Sequence, residues 1–212
     1  MNAEEILAQV ATEVAVCTRC MLHHSRKKAV PGEGPANSTM MFIGEGPGFH
    51  ENEQGRPFVG AAGNFLVELL QSIDLKREQV FIGNVVKCRP PNNRDPLPEE
   101  LTACSEYLER QIQAINPRVI VTLGRYSMAR FLPTAKISDV HGQSFIIKGR
   151  LVVPMYHPAA ALHQPSLKAV VEQDFARLPA LIAKAKEHQP DQIASETEPE
   201  KPKQEPKQLS LF

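Results

Sequence analysis

Three short apolar runs, TMMFIGE, QVFIGNVVKC and RVIVTLG, are each followed by a stretch whose apolar residues recur at helical spacing. This alternation limits the fold more than any other feature. A short apolar run ending in glycine reads as a buried strand, and AGNFLVELLQSI, LPEELTACSEYLERQIQAI and GRYSMARFL read as the helices between strands. AEEILAQVATEVAV adds a helix at the start, with acids in its first turn. SFIIKGRLVVPMYHP reads as a hairpin, or two strands, about a Lys148-Gly149 turn. PSLKAVVEQDFARLPALIAKAK is helical with a break near Pro179. Strands alternating with helices predict an α/β sandwich with a mostly parallel sheet. Ligands of such sheets bind at the carboxyl ends of the strands, which is where GEGPG, NVVKCRPPNNR and MYHPAA fall.

The chain is long enough for one sizeable core. No apolar run approaches the ~20 residues of a membrane span, and no basic-apolar leader opens the sequence, so a cytoplasmic protein is expected. Overall charge is zero, but it is unevenly placed. The segment from Glu187 onward holds six acids and three lysines, which leaves 21 basic and 18 acidic residues before it. The resulting +3 is compatible with a DNA-contacting face and does not prove one. From about Glu187 to Lys207 the sequence is polar, proline-rich and nearly free of large apolar residues. Such a stretch cannot bury enough surface to offset its ordering entropy, and reads as a disordered linker. It ends in QLSLF, Gln208 to Phe212.

Cys17 and Cys20 form a C-x2-C pair, and Cys88 and Cys104 follow far downstream with 15 residues between them. Structural disulfides are rare in a cytoplasmic chain. Buried, unrelated thiols are one reading. A four-cysteine site for zinc or an iron–sulfur cluster is the preferred one, and spacing alone does not choose between the two metals. Either would tie the N-terminal helix to the Cys88–Cys104 segment.

Residues 40–65 carry six glycines and two prolines behind the first strand. A phosphate loop is excluded by pattern. The Walker sequence is absent, and Phe49 stands where the third glycine of a dinucleotide fingerprint belongs. A tight turn is the simple alternative. However, Glu45, Glu51, Phe58 and a second glycine pair, Gly60 and Gly63, suit a pocket where backbone approaches a flat ligand and an aromatic ring stacks on it. Three side chains could converge there. Asn84 carries an amide able to read the edge of a base, or to tie a loop. His157 could donate to negative charge on a leaving group, or be structural. Glu45 could orient water or stabilise a cation, or cap a loop. Arg56, Arg89 and Arg94 lie near these loops as candidate phosphate contacts.

These blocks together resemble a known family. GEGPGFHENEQGRPFVGAAGNFL is similar to the first motif of the family 4, iron–sulfur uracil-DNA glycosylases, NVVKCRPPNNRDP to the second block and YHPAA to the third. The resemblance spans roughly residues 1–185 and departs at Asn52, where aspartate is usual; retention of Glu51 predicts little effect. It implies a three-layer α/β/α sandwich with a central four-stranded parallel sheet, comprising residues 1–186. It implies a [4Fe-4S] cluster on Cys17, Cys20, Cys88 and Cys104, and hydrolytic removal of uracil from DNA by a monomer. In that reading Phe58 stacks on uracil, Asn84 reads its edge, and backbone at Gly44 and Gly46 completes the pocket. Glu51 crowds the thymine methyl, His157 donates to the departing anion, and Glu45 helps place water or stabilise the sugar cation. No arginine-rich insert follows Cys88, so simple hydrolysis is expected rather than a covalent histidine adduct. QLSLF resembles the bacterial sliding-clamp-binding pentapeptide, which implies a clamp partner through Gln208, Leu209, Leu211 and Phe212 and a place at the nucleoid. The rival reading from the residues is a non-enzymatic nucleic-acid-binding module built on a metal site.

Overall fold

A computed structural model describes residues 1–187. The expected linker, apart from Glu187, and the QLSLF peptide lie outside the described residues. Helix α1 (Ala3–Val16) starts with a capping box in which Asn2 and Glu5 satisfy each other's backbone N–H groups at 2.8 and 2.9 Å. The sheet strands are β1 (Met40–Gly44), β2 (Phe81–Asn84), β3 (Val119–Leu123), β4 (Phe145–Ile147) and β5 (Arg150–Met155), in the order β2-β1-β3-β5-β4. The first four in that order run parallel, and β4 joins the edge antiparallel to β5. The four-stranded parallel sheet expected from the sequence is therefore the larger part of a five-stranded one.

The fifth strand exists because of the Lys148-Gly149 turn. Both residues have positive φ, +46° and +69°. That is the backbone of a two-residue hairpin turn whose twist matches that of the strands it joins.

Helices α2 (Phe49–Gln54) and α3 (Ala61–Gln71) follow β1, and α4 (Pro98–Ile115) follows β2. After β3 come α5 (Arg125–Ala129) and α6 (Ile137–Val140). After β5 come α7 (Pro158–His163), α8 (Ser166–Ala176) and α9 (Leu178–Glu187), the last two divided at Arg177 with Pro179 in the first turn of α9.

Alternation along each strand makes the layers. Met40, Phe42, Val119, Val121 and Val153 pack with Leu66 and Leu70 of α3 and Phe175 of α8. Met41, Ile43, Ile120 and Val152 pack with Leu108 and Ile112 of α4. A strand buried on both faces needs apolar residues at every position, which is why these runs read as continuous. Helix α1 does not touch the sheet core in the same way. Its Val10 and Val14 pack on Tyr107 of α4, and Glu13 accepts both Nη groups of Arg110.

Among the described residues no helix is long and apolar enough to cross a membrane.

Candidate functional site

The carboxyl ends of β1, β2 and β5 open into one cleft of about 430 Å³. It is lined by Glu45, Gly46, Gly48, Glu51, Phe58, Asn84 and His157, with Pro90, Arg94 and Asp95 on the wall after β2. Parallel strands place these loops side by side at one edge, which is how residues 112 positions apart in sequence meet.

Asn84 ends β2 and is 1% exposed, yet its Oδ1 has no hydrogen-bond partner. Leaving a buried carbonyl unsatisfied costs about 1–3 kcal/mol, so its presence at a cleft wall points to a ligand that completes it. The loop-tie alternative for Asn84 finds no partner for this oxygen among the described residues. The space beside it is kept by Gly44, which does not line the cleft. A Cβ there would sit 2.5 Å from Asn84 Oδ1 and 2.7 Å from the Phe58 ring.

Phe58 lies in the left-handed backbone region, with φ +50°. That is unfavourable for an aromatic residue, and its surroundings hold it there. Arg77, in a 3-10 turn before β2, donates to the carbonyls of Pro57 and Phe58, the latter at 2.9 Å. Gly63 lets α3 press against the same peptide, where a Cβ would come within 2.0 Å of the Phe58 carbonyl oxygen. The ring lies nearly parallel to the imidazole of His157, with 5.5 Å between centroids and 24° between planes. Sequence reasoning missed Arg77. No motif marks it, because its contact is to backbone 19 residues away.

His157 caps α7, and its Nδ1 accepts from the Ala159 N–H at 3.1 Å. A backbone N–H can only donate, so Nδ1 carries no proton and the neutral ring holds its hydrogen on Nε2. Burial pushes the imidazole down to about 4, opposed weakly by the Glu51 carboxylate. The site thus holds an uncharged imidazole with one N–H to give.

Glu51 is held by three backbone groups. One oxygen accepts from Val59 and Gly60 at 2.9 and 3.1 Å, the other from Gly48 at 3.1 Å. It locks the loop around Phe58 and cannot swing aside. Glu45 accepts from the Tyr126 N–H at 3.2 Å at the start of α5, so the capping alternative holds for one oxygen. Burial raises its pKa, and the Tyr126 N–H and Arg125 charge pull it partly back. Gly124, with φ +96°, makes room for it, since a Cβ would lie 2.4 Å from the carboxylate. Asn52 does not line the cleft; its Oδ1 accepts from the Lys27 N–H at 2.9 Å and ties the segment before β1 to α2.

The three candidate arginines separate. Arg56 is bidentate to Glu33 at 2.7 Å and Arg94 to Glu100 at 2.9 and 2.6 Å. Arg89 has no carboxylate partner among the described residues and donates instead to Asn93 Oδ1 at 2.8 Å.

The four cysteines line a separate, smaller cavity with Arg26, Lys87 and Tyr107, between the end of α1 and α4. Cys88 and Cys104 are buried and Cys17 and Cys20 half-buried, all as free thiols. Arg26 donates to Cys88 Sγ at 3.5 Å and is anchored on the carbonyls of Cys17 and Ala15. Lys87 is fully buried with Gln111 as its hydrogen-bond partner at 2.7 Å. Four soft donors with Arg26 and Lys87 among the lining fit a thiolate-bound, anionic group. Among the described residues no three His, Cys, Asp or Glu side chains converge tightly enough for a single metal ion.

Gln208, Leu209, Leu211 and Phe212 lie outside the described residues.

Comparison with known proteins matches the same region. The family model described as "Uracil DNA glycosylase superfamily" matches residues 31–178. A type-4 uracil-DNA glycosylase of Sulfurisphaera tokodaii is 47% identical over 192 residues, covering 86% of this chain and 87% of the relative. The type-4 enzymes of Archaeoglobus fulgidus and Thermotoga maritima are 45% and 44% identical, each over 85% of this chain and 95% and 97% of their own. A type-5 uracil-DNA glycosylase of Thermus thermophilus is 32% identical over 60% of this chain. With coverage this complete on both sides, the chain belongs to the uracil DNA glycosylase superfamily, among the type-4 uracil-DNA glycosylases.

Proposed function

We infer that the chain removes uracil from DNA by hydrolysing the N-glycosidic bond, leaving an abasic site for base excision repair. The observation that carries this reading is the partnerless Asn84 carbonyl, buried in the same cleft as Phe58 and the neutral His157. The nucleotide must be flipped from the duplex to reach that depth, at a cost of a few kcal/mol that is least for a mispaired base. Phe58 then stacks on the base. Asn84 Oδ1 accepts from the uracil N3–H, and its amide donates to an adjacent carbonyl.

As the C1′–N1 bond breaks, its electron pair passes into the pyrimidine. The Nε2–H of His157 donates to the anion so formed, and a neutral donor suits this because it gives up no proton to solvent beforehand. Glu45 faces the opposite, cationic partner and helps place the water. Glu51, pinned by three N–H groups, is a rigid wall against a C5 methyl and so against thymine. The backbone of Gly46 completes the pocket, and Gly44 acts behind it.

The cysteine cavity suits a [4Fe-4S] cluster on Cys17, Cys20, Cys88 and Cys104 better than zinc. A single zinc needs its sulfurs within tetrahedral reach at about 2.3 Å, whereas a four-iron cluster is wider and holds its thiolates farther apart. When bound, the cluster serves to fix α1 to α4 and the segment after β2. The polar segment beyond Glu187 acts as a tether for QLSLF, which anchors the monomeric enzyme to a bacterial sliding clamp and so at the nucleoid.

The deciding assay is a uracil-containing oligonucleotide incubated with the protein and then treated with alkali. Strand cleavage at uracil is expected on single- or double-stranded substrate, and none on either would remove the enzyme reading. Asn84→Ala should slow cleavage about a hundredfold. Iron and sulfide analysis after anaerobic purification tests the cluster, which a colourless, zinc-loaded protein overturns. Deleting Gln208 to Phe212 should abolish clamp binding and leave activity on free oligonucleotides intact.

A further inference from the structure

Phe49 is 54% exposed, at the first turn of α2 directly after Gly48 of the cleft wall. A single exposed apolar residue is ordinary. This one is built into a setting. The guanidinium of Arg89 lies over its ring, 5.3 Å from the centroid, and His50 meets it edge-on at 5.5 Å and 84°. Arg89 is held in place by Asn93, in a turn where Asn92 and Asn93 both take left-handed backbone, φ +54° and +53°. Pro90, next to Arg89, is again cleft wall. An aromatic ring and a cation without a carboxylate partner among the described residues therefore stand together at one lip of the cleft, on two loops fixed by the site itself.

We propose that Phe49 and Arg89 grip the nucleotide adjoining the flipped uracil. The ring stacks the unstacked neighbouring base, and the guanidinium takes the phosphate between it and the uracil. Stacking on an aromatic face is tolerant of base identity, so this contact holds the strand without reading it. Of the other arginines near the cleft, Arg56 is committed to Glu33, Arg94 to Glu100 and Arg125 to Asp95, which leaves Arg89 as the phosphate contact of this rim. The proposal rests on the assignment of the cleft to uracil in DNA.

The test compares variants of the full chain by fluorescence anisotropy on an oligonucleotide carrying an abasic analogue, and by single-turnover uracil release at saturating enzyme. Release by the wild type establishes the cleft reading independently. Phe49→Ala should weaken binding about tenfold while single-turnover release at saturation stays near wild type. Phe49→Trp should restore binding, and Phe49→Leu, apolar but without a π face, should not. Arg89→Gln should lower the slope of log affinity against log salt by about one. Unchanged affinity in Phe49→Ala, or full restoration by Leu, overturns the proposal even where the wild type releases uracil.

Discussion

The base cleft leaves a buried carbonyl of Asn84 unsatisfied among the described residues, whereas the cysteine cavity pairs its buried Lys87 with Gln111 and its Arg26 with carbonyls, and the two are built in different ways. The cleft is open, lies on the sheet, and takes its residues from loops at the ends of three strands. Its rigidity comes from glycines that allow backbone contact and from carboxylates spent on N–H groups. The cysteine cavity is smaller, lies off the sheet between α1 and α4, and is lined mainly by side chains, with Arg26 anchored on the carbonyls of Cys17 and Ala15. The cleft needs little reorganisation to receive a ligand that comes and goes. The cavity would suit the resident cluster proposed above, tied to the packing of α1 on α4. One region is a preorganised surface and the other a clasp.

Four experiments probe that contrast. Cys104→Ser should have the largest effect, because loss of a ligand to a structural metal group forfeits folding free energy. Loss of visible absorbance and a large fall in melting temperature are expected, whereas a soluble, coloured, fully stable variant would dissolve the idea of a clasp. Gly63→Ala should act on the cleft alone. Its Cβ would meet the Phe58 carbonyl at 2.0 Å and displace the ring, with uracil release slowed about a hundredfold, or close to 3 kcal/mol, and cluster absorbance unchanged.

His157 gives a pH signature. Its folded pKa is depressed to about 4 from an unfolded value near 6.5, so burial favours the neutral ring. The unfolded chain then takes up a proton first as pH falls, and stability declines between about pH 6.5 and 4, by up to about 3 kcal/mol. Denaturant titrations of wild type and His157→Gln should diverge over that window and run parallel above it. Parallel behaviour throughout would mean that the ring is not neutral by burial.

The smallest effects separate the two paired arginines. Arg94→Gln strands Glu100, whose side chain is 2% exposed, and should lower stability by about 2 kcal/mol. Arg56→Gln leaves a 36%-exposed Glu33 and should change it by less than about 1 kcal/mol. Equal losses would contradict this difference in burial.

Strand positions and the longer helices were legible because burial imposes a period on apolar residues, whereas α2, α6 and α7, of four to six residues each, are too short to show one. The continuous runs at Met40, Phe81 and Val119 could satisfy two faces of a sheet only as buried strands. The hairpin at Lys148-Gly149 was legible as a pair of strands about a turn, but not that its first strand extends the parallel sheet to five. Edge pairing depends on where the sheet ends. Candidate site residues were legible by type and by their place after strands.

The sequence by itself determined the α/β alternation, the candidate side chains after the strands, and the change of composition near Glu187. Only the tertiary structure decided which of them act together. It left Asn84 Oδ1 without a partner among the described residues, spent Glu51 on backbone, gave His157 its tautomer, and tied up Arg56 and Arg94 while leaving Arg89 at the rim. It also recruited Arg77, which no motif singles out, and put Gly44 behind the cleft wall rather than on it. The reason is physical. Periodicity records which residues are buried, a property each residue carries locally. Hydrogen-bond satisfaction, close backbone approach and pKa depend on neighbours that the fold brings in from distant parts of the chain.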